Sequence, residues 1–490
     1  MVVKKLKGAA VDSVFLMFVN VITSLLGIVI AKLMSVYLTL EEYGTYSQAM
    51  LIVSSVAAVF RLGMTNAMNY FYNGKKDGRD VEQYIATMFG IQVITGTLSG
   101  IAIIALQIPI AQYFDNAQLR VVIAYVAFLP MFRNILPMLQ VLFVSCGKAK
   151  SIAIRNLLVS IVRLGVVALT CFATKDIRTI LITSILLDII QVVYFTSVFK
   201  KERFPIKLSQ FSKRLLPEIL RFCLPMAVFV LAKELARDID RLVISYYTDT
   251  ATLAIYSTAA KHLPFDMVTT AFLTVLIPVI TKRVGQGHYQ DALKVYKAYI
   301  RMGYLTTWIL VVGALVCADK LLLFLYDAKY AAGLPVFITY LLVEMFKFMN
   351  NSTIFVAKGK SKMPMILSLS SMTLNAAFSA LAFQWLGIVG PAVVTLAVTI
   401  VMVIIVLTLG ARELESSFWK IFDWKELLLL LAEMVVVGFI ARKLLLLVAG
   451  ITDVLFWQLA VGFGTFAGTI GLLNLRRLIA CFKEINAVRQ

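Results

Sequence analysis

Lys233-Glu234-Leu235-Ala236-Arg237-Asp238-Ile239-Asp240-Arg241 places six ionisable side chains in the middle of an apolar stretch, residues 219–247, that is long enough to cross a bilayer. A charge at bilayer depth costs at least about 2.5 kcal/mol, so such groups persist where they face a partner or a water-filled cavity. Ammonium and guanidinium groups gathered in this way suit a ligand carrying phosphate or diphosphate, which Arg grips in a planar fork.

Similar charges recur within other apolar stretches: Arg61, Arg133, Arg163, Asp188, Lys261, His262, Asp266, Glu344 and Lys347, with Lys32 nearer the end of its stretch. Cations outnumber anions among them. Lys32, Arg61, Arg133, Arg163, Lys233, Arg237, Arg241 and Lys261 are therefore the candidate substrate-binding cations. Asp188, Glu234, Asp238, Asp240, His262, Asp266 and Glu344 are candidates for setting cavity charge or coupling to an ion such as H+ or Na+. Internal pairing is the structural alternative: Glu234–Arg237 and Asp238–Arg241 stand at i, i+3 and His262–Asp266 at i, i+4. Lys32, Arg155 and Arg241 could instead snorkel to the interface.

The elements that position these groups are transmembrane helices. The chain has 490 residues, 60% apolar and 15% charged, far from soluble usage. Counting about 20 apolar residues per crossing gives fourteen spans. They lie near 11–34, 46–70, 84–110, 121–145, 152–174, 179–199, 219–247, 251–280, 296–317, 333–356, 364–385, 388–410, 427–448 and 453–473. The fold class is all-α and polytopic. The apolar run from Val11 to Ala31 is too long for a signal-peptide core and reads as a retained first helix.

Alternate connections are basic, from Lys4, Lys5 and Lys7 through Lys75, Lys76, Arg79, Lys148, Lys150 and the Lys200 to Arg221 stretch to Arg476, Arg477 and Lys483. The opposite connections hold Glu41, Glu42, Asp115 and Asp249. The positive-inside rule then puts both termini in the cytoplasm, and explains the net charge of +20 without nucleic acid. At an offset of 210 residues, Tyr37 falls on Tyr247, Tyr46 on Tyr256 and Ser47 on Ser257. Gly147-Lys148-Ala149-Lys150 lies two residues from register with Gly359-Lys360-Ser361-Lys362. Units of six spans repeated in parallel about the membrane normal follow, with a chamber between two six-helix bundles. The expected organisation is an N-terminal lobe 1–200, a linker 201–218, a second lobe 219–410, an interfacial amphipathic helix 411–426 and two further spans in 427–490.

Other chemistry is missing. The cysteines, five in number, are scattered singly, and Ser145-Cys146-Gly147-Lys148 lacks the spacing and the preceding strand of a phosphate loop. Asn350 and Asn351 fall in glycan-acceptor patterns but lie inside a span. With no metal constellation, activated nucleophile or nucleotide loop, neither an enzyme nor an ATP-driven pump is expected, and no cofactor. Pro130, Pro137, Pro225, Pro264 and Pro278 are candidate kinks.

Ala31-Lys32-Leu33 followed by Glu41-Glu42-Tyr43-Gly44-Thr45-Tyr46-Ser47 resembles the first hairpin of Wzx-type polysaccharide flippases, in the multidrug/oligosaccharidyl-lipid/polysaccharide (MOP) exporter superfamily. Leu224-Pro225, Asp240-Arg241 and Ala254-Ile255-Tyr256-Ser257-Thr258-Ala259 resemble the same family's seventh and eighth helices. The resemblance implies a V-shaped pair of six-helix lobes plus two C-terminal helices, alternating between inward-open and outward-open states. It implies translocation of an undecaprenyl-diphosphate-linked oligosaccharide across the bacterial cytoplasmic membrane for surface polysaccharide synthesis, driven by an ion gradient or the membrane potential, with a polysaccharide polymerase as possible partner. Cavity cations would be Lys32, Arg61, Lys233, Arg237, Arg241 and Lys261, and residues 427–473 would form a groove for the lipid tail, as in related peptidoglycan-precursor flippases. Lys32 stands where many relatives carry Arg. Two other readings remain at this stage: a multidrug/cation antiporter of the same superfamily, and a non-transporting scaffold of the polymerisation machinery.

Overall fold

The computed structural model describes residues 2–74, 80–146, 148–174, 176–202, 206–360 and 362–489, and these hold helices and no strand. Lys75, Lys76, Arg79, Gly147, Arg203 and Ser361 lie outside the described residues, as do the side chains of Lys4, Lys5, Lys7 and Pro225. Backbone groups in hydrocarbon must be satisfied within the segment, and a helix does so.

Contacts divide the chain into two compact units, residues 1–254 and 255–490. The first holds α1 (Val2–Tyr37), α2 (Leu40–Phe60), α3 (Met64–Gly74), α4 (Asp80–Ala105), α5 (Gln107–Tyr113), α6 (Ala117–Val126), α7 (Leu129–Ser145), α8 (Ala149–Ala173), α9 (Ile177–Glu202) and α10 (Leu216–Tyr247). α1 lies along α8, α7 packs on α3, α4 and α9, and α10 packs on α2 and α3. Met64, Phe71, Tyr84, Met88, Leu139, Phe143, Phe195 and Ile219 join α3, α4, α7, α9 and α10 in one buried core. The charged helix α10, expected to open the second bundle, thus shares its packing with the first unit.

α11 (Thr250–Ala259) crosses the boundary between the units. The second unit continues with α12 (Met267–Gly285), α13 (Tyr289–Gly303), α14 (Ile309–Val316), α15 (Ala318–Leu325), α16 (Leu334–Lys347), α17 (Thr353–Ala357), α18 (Lys362–Leu386), α19 (Gly390–Glu413), α20 (Trp424–Ala449) and α21 (Leu455–Arg489). α18 pairs with α19 and α20 with α21, while α13 and α14 pack on α21. The carbonyls of Met345 and Phe348, left open where α16 ends, accept from Trp308 Nε1 at 2.7 Å and Tyr299 OH at 2.6 Å.

Val435, Phe439 and Leu447 of α20, Leu472 of α21 and Leu169 of α8 are exposed. Apolar surface on this scale is solvated by lipid tails. The chain is a multi-pass membrane protein. Among the described residues nine stretches are long and apolar enough to cross a bilayer, or eleven when two bent pairs each count as one, against the fourteen expected. Residues 362–413 enter that count as one stretch, although the chain turns at Gly387, at φ 58°, between α18 and α19. α20 also carries Lys425, Glu426, Glu433, Arg442 and Lys443, which its apolar neighbours outnumber but do not hide.

Several expectations change. The eighth span, read as continuous over 251–280, breaks at 260–263: Leu263, preceding Pro264, is held extended at φ −91° and ψ 150°. The amphipathic helix over 411–426 is replaced by the end of α19 and one short turn, Phe418–Lys420. Glu415 at φ 54° turns the chain, and Asp423 then caps α20 by accepting from the Glu426 N–H. Of the prolines, Pro137 and Pro278 sit inside helices, whereas Pro130 opens α7 and Pro264 opens the turn before α12.

Candidate functional sites in the two units

In the first unit the charges of α10 meet a break in its neighbour. α2 ends at Phe60, and Leu62 and Gly63 follow with φ of 49° and 65° before α3 begins. The carbonyls of Phe60 and Arg61 that this break exposes accept from Gln92 Nε2 of α4, at 3.2 and 3.4 Å. Arg61 projects from the break. Its Nε donates to Asn134 Oδ1 at 3.1 Å and its Nη1 to Glu234 Oε1 at 3.2 Å. Asn134 is held in turn by donating to the Ala57 carbonyl at 3.0 Å.

The chain of pairs continues along α10. Glu234 Oε2 takes Arg237 Nη2 at 2.6 Å, Asp238 Oδ1 takes Arg241 Nη1 at 3.4 Å, and Ser54 Oγ donates to Asp238 Oδ2 at 2.9 Å. The i, i+3 pairs are formed, and Glu234 bridges two guanidiniums. Asp240 is buried at the next turn, where its carboxylate accepts the Arg241 N–H at 2.9 Å. Lys233 is exposed and has no ion pair among the described residues. Arg237 is half exposed, and its Nε also lies 3.8 Å from Asp238 Oδ1.

A second group joins α7, α8 and α9. Asp188 Oδ1 accepts from Arg163 Nη2 at 3.2 Å and Gln191 Nε2 at 3.1 Å, and Gln191 Oε1 accepts from Arg155 Nη1 at 2.7 Å. Arg133 interacts electrostatically with Asp188 and points Nη2 at Met50 Sδ, 3.2 Å away. Arg155 does not snorkel. It is buried, with its guanidinium 4.1 Å above the Phe195 ring.

The third group lies in the second unit around the 260–263 break. His262 Nδ1 bonds Glu344 Oε1, Lys347 Nζ lies 3.4 Å from the same oxygen and 3.8 Å from Asp266 Oδ2, and Glu344 Oε2 is buried without a hydrogen bond. The expected i, i+4 pair of His262 with Asp266 is not what forms, because the chain from 261 to 266 is not α-helical: an extended stretch leads into a 3-10 turn, Pro264–Asp266. Lys261 stands in the same break, while Lys32 lies near the end of α1 in the other unit. Among the described residues no group of three or more His, Cys, Asp or Glu side chains could hold a metal ion.

Asn134, Ser54, Gln92 and Gln191 were not among the residues singled out from the sequence. Gln191 follows Asp188 at i+3 and Asn134 adjoins Arg133, so neutral amides next to intramembrane charges were the available signal.

A family model described as polysaccharide biosynthesis protein matches residues 29–335. No curated protein matches the chain. Among solved structures, the lipid II flippase MurJ in an inward closed conformation aligns with a TM-score of 0.73 at 16% identity, covering 95% of this chain and 100% of that one. An inward-facing multidrug resistance MATE family transporter of the MOP superfamily aligns with a TM-score of 0.67 at 14% identity, over 83% and 98%. A MOP superfamily transporter from Pyrococcus furiosus, described as having a binding pocket of reverse polarity, gives 0.55 at 15% identity over 83% and 94%. With the fold of the MOP transporters and a family match over more than half its length, the chain belongs to the polysaccharide biosynthesis protein family.

Proposed function

We propose that the protein is a flippase that carries undecaprenyl-diphosphate-linked oligosaccharide repeat units across the bacterial cytoplasmic membrane by alternating access, with both termini in the cytoplasm. The observation that carries the reading is the Arg61–Glu234–Arg237 bridge beside the exposed Lys233. One carboxylate holds two guanidiniums in place, and a diphosphate, with more acceptor oxygens and more charge, displaces it and takes both forks. Moving a sugar head group through bare hydrocarbon would cost roughly 2–7 kcal/mol for each hydroxyl stripped of its partners, so a polar, cationic path is what the reaction needs. Coverage also favours a lipid-linked substrate. The difference between 95% and 83% of 490 residues is close to the combined 26 and 35 residues of α20 and α21. These helices expose an apolar surface that suits a polyprenyl tail.

In cells that depend on this chain, Lys233→Ala with Arg237→Ala removes two charge-assisted contacts, each worth about 1.5–3 kcal/mol. Glycan export is expected to fall by at least about tenfold, with lipid-linked oligosaccharide accumulating in the inner leaflet. Undiminished export would sink the assignment. The MATE-like fold supports a second reading, export of cationic drugs, but a site with surplus guanidinium repels them. Deleting the gene is accordingly expected to leave drug susceptibility unchanged.

His262, Glu344, Asp266 and Lys347 are the coupling group in this reading: a buried carboxylate with one unbonded oxygen beside an imidazole can take and release a proton. In vesicles, Glu344→Gln is expected to abolish the response of transport to an imposed pH gradient while substrate binding persists. A response equal to that of the unaltered protein contradicts this role.

A further inference from the structure

A cavity of about 240 Å³ opens between α1, α8 and α9 of the first unit, lined by Thr23, Asn156, Ser160, Arg163, Asp188 and Gln191. One water needs only about 10–15 Å³ of such space, so the cavity admits a polyatomic ion with part of its hydration. Its electrostatics are unbalanced. Arg133, Arg155 and Arg163 all act on one carboxylate, Asp188, whose Oδ1 already serves Arg163 and Gln191. The Nε groups of Arg155 and Arg163 are buried and donate to nothing among the described residues. A surplus of cations, Arg155 buried and Arg133 and Arg163 partly so, with idle buried N–H donors is costly unless an anion completes it.

The neutral lining has the matching chemistry. Asn156 Oδ1 is taken by Arg155, which leaves its amide N–H groups as donors. Ser160 and Thr23 add polar walls, although their hydroxyls donate to the carbonyls of Asn156 and Asn20 at 2.8 and 3.0 Å, and Gln191 orients both the arginine and the aspartate. The Asn156 amide beside the Arg163 guanidinium fork suits an acceptor with oxygens in several directions, more than it suits a halide. We propose that this cavity is a binding site for a phosphate-class oxoanion, separate from the Arg61–Glu234–Arg237 bridge and sharing no residue with it. Free phosphate and the phosphate of an anionic lipid head group present the same oxygens. The site therefore binds one or the other by the same contacts, and the proposal stands whether or not the transported substrate is a lipid-linked sugar.

The test uses the full-length protein in nanodiscs of phosphatidylcholine, following thermal unfolding as inorganic phosphate is titrated, and in parallel as phosphatidylglycerol replaces part of the lipid. A stabilisation by inorganic phosphate that weakens at least about tenfold in half-maximal concentration in Arg163→Gln, as loss of one charge-assisted contact requires, supports a free-ion site. A stabilisation by phosphatidylglycerol alone, lost in the same variant, supports a head-group site. Asn156→Ala, which leaves every charge in place, is expected to weaken the same response and serves if Arg163→Gln does not fold. Stabilisation by neither probe, or a response that both variants retain in full, overturns the proposal.

Discussion

Gln92 shows how a single neutral side chain makes a charged site possible. A broken helix inside a membrane leaves carbonyls that must find donors, and Gln92 supplies one amide to both Phe60 and Arg61. The Arg61 carbonyl also accepts from the Met64 N–H at 3.1 Å, so without Gln92 it is the Phe60 carbonyl that would be unmet. Gln92→Leu preserves size and apolar packing but removes the donor, and leaving a buried carbonyl unmet costs about 1–3 kcal/mol. Thermal unfolding in detergent is expected to occur at a lower temperature, with the Arg61-dependent activity reduced as well. An unchanged unfolding temperature would show that the carbonyls are met in another way. At this scale the sequence announced the charges but not their company. Charges in apolar stretches stand out by type, whereas Gln92, Ser54 and Asn134 matter only through neighbours that are 31 to 184 residues away.

Helix ends, by contrast, were partly written in local residues. The Glu41-Glu42-Tyr43-Gly44 motif has two physical duties here. Glu42 completes a capping box with Thr39 at the start of α2, and Gly44 lets α2 approach the backbone at Thr250, where a Cβ would lie 2.1 Å from the carbonyl oxygen. The 210-residue offset also has a structural counterpart: α1 and α10 end at Tyr37 and Tyr247, and α2 and α11 begin at Leu40 and Thr250. Hydropathy ran through the breaks, so the sequence offered a kink at Pro264 but nothing at Gly63. Both residues, at the 260–263 and 61–63 breaks, sit in stretches apolar enough to read as one span each. Gly44→Ala is expected to force α2 away from the residues after α10, since the atom it meets is backbone and cannot swing aside. Loss of transport together with a lower unfolding temperature is the expected outcome, and a variant indistinguishable from the unaltered protein would show that this approach is not needed.

For the whole molecule, composition alone established a polytopic helical membrane protein, because nothing but lipid solvates so much apolar surface. The number of crossings was less legible, since broken helices and charged ones such as α20 blur the apolar signal on which counting depends. The most direct test of the account is translocation by the purified protein in liposomes, measured as the transfer of a fluorescent undecaprenyl-diphosphate-linked oligosaccharide from one leaflet to the other. The account predicts transfer by the unaltered chain and at least about tenfold less by Lys233→Ala with Arg237→Ala. Transfer by the double variant at the full rate, or movement of a cationic drug with none of the lipid-linked sugar, would contradict it.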